Sequence, residues 1–160
     1  MATYLIRKKL LALGDDFWVE DESGEHVFHV DGKILRPRDT FVIETPDGDE
    51  LVKIKEQRLK LRKTLAIERQ GEPLATVSKD LLTPLRDKLT VELTGSGVLE
   101  AKGDLFDHEF TVEWENGVPM AEVSKWWFSV RDTYGLTVYP NQDAVLALAI
   151  AVCIDAVKRD

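Results

Sequence analysis

Residues Gln142 to Lys158 read QDAVLALAIAVCIDAVK, a run that is apolar on nearly every side. A helix on a protein surface shows one apolar stripe; a helix that is greasy all round is buried in protein or in lipid. The run falls short of the roughly 20 apolar residues that a membrane span needs. The preceding residues are therefore expected to wrap it, and their pattern says how.

That pattern is a repeat. An aromatic residue or Leu is followed two positions later by Val or Ile in Phe17-Trp18-Val19, Phe41-Val42-Ile43, Leu65-Ala66-Ile67, Leu89-Thr90-Val91 and Phe110-Thr111-Val112. Tyr134-Gly135-Leu136-Thr137-Val138 is a slightly longer sixth copy. The copies start at 17, 41, 65, 89, 110 and 134, so the steps are 24, 24, 24, 21 and 24. Four are preceded by a related triplet: Arg38-Asp39-Thr40, Arg62-Lys63-Thr64, Arg86-Asp87-Lys88 and Arg131-Asp132-Thr133. The other two carry Gly14-Asp15-Asp16 and Asp107-His108-Glu109 there. The first five copies also hold a second turn rich in Gly, Asn and Asp, such as Pro46-Asp47-Gly48-Asp49 and Asn116-Gly117. Such residues accept the positive φ that tight hairpins require.

One unit is thus a strand, a Gly turn, a second strand and an Arg-Asp-Thr-type turn. Alternation supports strands: Phe110, Val112 and Trp114 interleave with Thr111, Glu113 and Glu115. With Thr3–Lys8 as a further strand, the count reaches twelve. A meander of short strands has edges that aggregate unless they are covered, and closure into a barrel removes them. About eight strands fill a barrel with side chains, so twelve leave a bore able to hold a helix about 10–12 Å wide. The expected fold is mainly β: one domain spanning residues 1–160, a closed twelve-stranded antiparallel barrel around the C-terminal helix. Asn141, after Pro140, is the expected N-cap, with Asp143 in the first turn and Lys158 and Arg159 near the last.

The barrel's ends should differ in charge. Equivalent turns of an up-and-down meander share an end, so Arg36, Arg38, Arg62, Lys63, Arg86 and Arg131 should gather at one rim. The Gly turns, with Glu20, Asp21, Glu22, Glu25, Asp47 and Asp49 among them, should make an acidic opposite rim. The helix should start at the acidic rim, with its positive dipole end toward the carboxylates. The arginine rim has two readings. Each Arg pairs with a neighbouring Asp, or the guanidinium forks hold a phosphate or lipid headgroup. The acidic rim reads as solvated turns, since no spacing matches a calcium loop. Trp126 and Trp127 are adjacent, so a strand there turns one ring outward as a candidate protein contact.

Composition bounds the function. The 160 residues carry a formal net charge of -8, which argues against nucleic acid and against a polybasic membrane anchor. The one cysteine, Cys153, allows no intrachain disulfide and reads as a buried apolar residue. The charged start of the chain does not resemble a secretory signal, so a cytoplasmic protein is expected. His26 and His29, three apart on a strand, are expected on opposite faces, and His108 reads as a satisfied or solvated side chain. No zinc cluster, nucleophile elbow or phosphate loop occurs, so no metal, cofactor or catalytic residue is nominated.

KKLLALGDDFWVEDESGE, VDGKILRPRDTFVI, TPLRDKLTVEL, DHEFTVEWENG, SKWWFSVRDTYGLTV and the Ala-rich terminal helix, in that order, resemble the LURP-one-related family. That family belongs to the tubby C-terminal-like superfamily, alongside phospholipid scramblases. The resemblance implies a twelve-stranded barrel around a central C-terminal helix. It also implies, by way of phosphoinositide-binding tubby domains, a lipid headgroup as ligand. Scramblases carry palmitoylated cysteines, a proline-rich arm and a calcium-binding segment; this chain has one cysteine, so the likeness extends to fold rather than to lipid scrambling. The expected function is a non-enzymatic binding module docking an anionic lipid headgroup or a protein partner on the barrel exterior. The alternatives are a protein scaffold with no lipid ligand and an enzyme with an external cleft.

Overall fold

The computed structural model describes residues 1–7, 16–33, 40–59, 62–80, 88–95, 97–125 and 133–157, with only the backbone of Arg7, Lys33, Arg58, Leu59, Arg62 and Asp80. Twelve strands precede one helix. They are β1 (Ala2–Arg7), β2 (Asp16–Glu20), β3 (His26–Lys33), β4 (Thr40–Glu44), β5 (Glu50–Leu59) and β6 (Arg62–Arg69). Then come β7 (Glu72–Asp80), β8 (Lys88–Leu93), β9 (Val98–Asp104), β10 (Glu109–Trp114), β11 (Pro119–Ser124), β12 (Thr133–Val138) and α1 (Ala144–Val157). Each strand pairs antiparallel with its sequence neighbours, and β1 pairs with β12 to close the barrel. The six repeat copies are the even-numbered strands, as their spacing requires.

Alternation sorts the side chains. Phe17, Val19, Leu65, Ile67, Leu89, Val91, Phe110 and Val112 all point into the bore and are buried. There they meet α1, whose residues from Leu146 to Val157 are all buried. Fourteen helical residues span about 21 Å, close to the wall that an eight-residue strand such as β3 or β6 makes once tilted. The helix supplies the core that a twelve-stranded barrel would otherwise lack.

The turn glycines do what the repeat implied: Gly24, Gly48, Gly71 and Gly117 all have φ between +80° and +96°. Gly103 differs, because it lies within β9 at φ +128°, and a Cβ there would sit 2.6 Å from the Glu109 carbonyl oxygen. Its bare backbone lets β10 approach.

Two local expectations are corrected. The helix is capped by Asp143, whose carboxylate accepts from the Leu146 amide at 3.0 Å, while Asn141 takes a left-handed turn at φ +66°. The chain needs that turn to reverse from β12 into the bore, so the cap falls two residues later. Next, His26 and His29 are not on opposite faces: both rings contact Trp18, at centroid distances of 4.6 Å and 4.7 Å. Glu20 pairs with His26 but Val19 with Phe28, so Val27 is an extra residue that shifts the alternation by one.

Candidate functional site

The bore is not wholly apolar. Strands β5, β6 and β12, the turn before β10 and helix α1 bring a polar cluster together at the helix's C-terminal end. Asp155, the one acid in the buried helix, accepts from the Tyr134 hydroxyl at 2.8 Å on one oxygen and pairs with His108 Nε2 at 2.6 Å on the other. The His108 and Tyr134 rings stack at 4.2 Å. All three residues are buried. Burial and the neighbouring carboxylate push the Tyr134 hydroxyl well above its ordinary pKa. Beside them, Lys63 Nζ lies 3.4 Å from Glu56 Oε1 and donates to the Ala156 carbonyl at 3.3 Å. That carbonyl belongs to the last turn, where intrahelical partners run out and the dipole is negative. A wall lysine thus caps the helix it encloses.

Chemically, this cluster seats the helix. Asp155 and His108 have the residue types of an acid–base pair, but they face the helix and the inner wall rather than a cleft. Cys153, also in the bore, is fully buried, and burial pushes its thiol above the ordinary range, so it is a poor nucleophile.

The sequence held two overlooked signals. A lone carboxylate in an otherwise apolar, enclosed helix requires a buried partner. The repeat names the partners: Lys63 and His108 occupy the middle of the triplet at the start of β6 and β10, where other copies have Asp. Both copies with a basic side chain at that position reach the helix, Lys63 at the Ala156 carbonyl and His108 at Asp155.

At the opposite end, α1 begins beside the Gly turns, as its expected direction requires. Arg69 Nη2 donates to Asp143 at 2.7 Å, and Trp114 Nε1 donates to Gln142 at 2.8 Å.

Of the candidate headgroup residues, Arg36, Arg38, Arg86 and Arg131 lie outside the described residues, as do the candidate contacts Trp126 and Trp127. Arg62 opens β6, its backbone paired with Leu59 and Asp80. Lys63 has a described side chain, and it is turned into the bore, only 2% exposed. The strand ends at Lys33, Thr40, Leu59, Arg62, Asp80, Lys88, Ser124 and Thr133 all lie at the same end of the meander.

The exterior has its own features. Trp18, outward on β2 at 38% exposure, stacks on His26. His29 Nδ1 lies 2.8 Å from Glu44 Oε1, so that ring is already engaged. Among the described residues no group of three or more His, Cys, Asp or Glu is placed to hold a metal. Two residues further along β2, from Glu20 onward, an open groove of about 700 Å³ runs between β1 and the turn after β2, with Tyr4, Leu5, Glu20, Glu22 and Thr137 in its walls. Trp18 was legible in DFWVE, since alternation puts it opposite Phe17 and Val19; the groove was not, because it depends on how far two strands part.

The family model described as LURP-one-related matches residues 2–155. The chain belongs to the LURP-one-related family. Among solved structures, the X-ray structure of an Arabidopsis thaliana protein is similar to this LURP-one-related chain with a TM-score of 0.71 at 23% sequence identity. The match covers 99% of this chain and 91% of that one, so the likeness is one of whole fold. No curated protein matches. Among the described residues of this family member, no helix is long and apolar enough to cross a membrane.

Proposed function

We propose that this LURP-one-related chain is a non-enzymatic binding module that engages its ligand on the outside of the barrel. One observation carries the reading: the bore, where a barrel of this width would otherwise hold a ligand, is filled by the chain's own helix, buried from Leu146 to Val157. The ligand proposed first is an anionic phospholipid headgroup, held by Arg36, Arg38, Arg62, Arg86 and Arg131. Support comes from the shared barrel end of the strands that flank these positions and from the fit of guanidinium forks to phosphate. Lys63 leaves this set, because its ammonium is used inside. A cytoplasmic location belongs to the same proposal and accords with a free, buried Cys153.

Flotation on vesicles containing phosphoinositides, against vesicles of phosphatidylcholine alone, tests the headgroup reading. Selective flotation at low salt, lost in a combined Arg36→Ala/Arg38→Ala variant, is expected; absence of binding to any anionic vesicle would remove it. A second reading, a protein partner, is favoured by the outward Trp18, two residues along β2 from the groove, and keeps Trp126 and Trp127 as further contacts. Loss of a captured partner on Trp126→Ala or Trp127→Ala would support it.

A further inference from the structure

The barrel is sealed unevenly. β1 pairs with β12 at six positions, from Ala2↔Val138 to Arg7↔Thr133. Against β2 it pairs at one, Leu5↔Glu20, among the described residues. Past that bridge β2 turns away into the hairpin at Asp21–Glu25, and the groove opens in the gap. The Thr3 amide, which faces this gap, donates to Glu22 Oε1 at 3.2 Å. A side-chain carboxylate therefore stands where a neighbouring strand's carbonyl would be. Thr3 Oγ1 and Thr137 Oγ1, 3.2 Å apart, finish the β12 side of the groove.

Its chemistry is one-sided. Tyr4 and Leu5 give it an apolar floor, Glu22 and Glu20, whose carboxylate lies 3.7 Å from His26 Nε2, line the other wall, and no Lys, Arg or His is among the described lining residues. Asp21 belongs to the turn itself: it accepts from the Ser23 hydroxyl, the Ser23 amide and the Glu25 amide. Those bonds, the Ser23 hydroxyl foremost, lower its pKa and keep it anionic. Trp18 lies two residues along β2 from Glu20 on the same outer face, extending the apolar strip.

The geometry points to this groove as a docking site for an extended segment of a partner protein that alternates basic and apolar side chains. The guest strand lies beside β1 and gives a backbone carbonyl to the Thr3 amide. Glu22, released from that amide, joins Glu20 in pairing with the guest's Lys or Arg. The guest's apolar side chains cover Leu5 and Trp18. Strand addition of this kind draws affinity from the main chain and specificity from alternate side chains. An anionic headgroup is repelled by the same carboxylates, so the site is distinct from the arginine positions. This rests on the exterior-module reading and names a partner class for it.

The test uses the full chain and two labelled, end-blocked hexapeptides, one alternating Lys with Val and one alternating Glu with Val, read by fluorescence anisotropy. The Lys peptide is expected to bind, more weakly as salt rises, and the Glu peptide not to bind. Glu20→Gln/Glu22→Gln, surface changes that keep shape, should weaken the Lys peptide about fivefold to tenfold. Thr3→Pro, which removes the amide that faces the gap, should weaken it in the charge-independent part. Equal binding of both peptides, or binding unchanged by Glu20→Gln/Glu22→Gln, overturns the assignment. So does binding of phosphatidylcholine vesicles that competes with the peptide and depends on Glu20 and Glu22. Flotation on anionic vesicles with no peptide binding overturns the groove alone and leaves the exterior module standing; failure of both removes both.

Discussion

Replacing Asp155 by Ala strands two buried donors at once. The Tyr134 hydroxyl and the His108 Nε2 both use this carboxylate, at 2.8 Å and 2.6 Å, and both residues are at most 1% exposed. Water cannot reach them in the closed bore. Each orphaned donor costs about 1–3 kcal/mol, and breaking a buried charged contact from one side costs about 3–5 kcal/mol. A loss of about 4 kcal/mol is expected, which lowers the midpoint of thermal unfolding by about 8–16 °C for a chain of this size. Asp155→Asn is the discriminating control. Its oxygen still accepts from Tyr134, and its amide donates to His108 once the ring proton moves to Nδ1, a shift with its own cost, so the variant should lose about 1–3 kcal/mol, less than Ala. Urea unfolding followed by circular dichroism and tryptophan fluorescence measures both. An Asp155→Ala variant within about 1 kcal/mol of wild type, or an Asn variant as damaged as the Ala variant, would refute the view that this cluster seats the helix.

Three further outcomes follow from the same geometry. Lys63→Met removes the ammonium that faces buried Glu56 at 3.4 Å and should cost about 3–5 kcal/mol, whereas Lys63→Met/Glu56→Leu should recover part of that loss, as a double-mutant unfolding cycle will show. Because Tyr134 has its pKa raised in the folded state, the stability it contributes is present below its unfolded value of about 10 and is lost as pH rises beyond it. Cys153 acts in the same direction from about pH 8.5, so unfolding free energy should fall between about pH 9 and 11, and Tyr134→Phe should flatten the upper part of that fall. Finally, Gly103→Ala, which drives a Cβ to 2.6 Å from the Glu109 carbonyl, should destabilise by more than about 2 kcal/mol, while Gly24→Ala, with open space around it, should lose only about 1 kcal/mol to its positive φ.

The architecture was legible because it depends on short-range patterns. A strand has period two and a hairpin unit has a fixed length, so a 24-residue spacing writes the barrel directly into the sequence. The terminal helix was legible because an all-round apolar run has few places to go. The polar cluster was harder, since its members are 47 and 21 residues apart along the chain and meet only after closure. His108 sat in view as a departure from the Arg-Asp-Thr triplet, but its partner was hidden in a run read for its apolarity. The histidines on β3 misled for a different reason: one extra residue, Val27, moves His26 to the face of His29, and a bulge leaves little trace in composition. The groove was invisible because strand separation at the β1–β2 seam is a property of the closed barrel.

The lone thiol offers the most direct check on the enclosed helix. Cys153 lies in the C-terminal half of α1 and is 0% exposed, so a thiol reagent such as a water-soluble maleimide can reach it only when the barrel opens. Labelling in native buffer should be slower than in the urea-unfolded chain by several orders of magnitude, and its rate across a urea series should follow global unfolding. Native labelling at a rate close to that of the unfolded chain would mean that the helix is not inside the barrel.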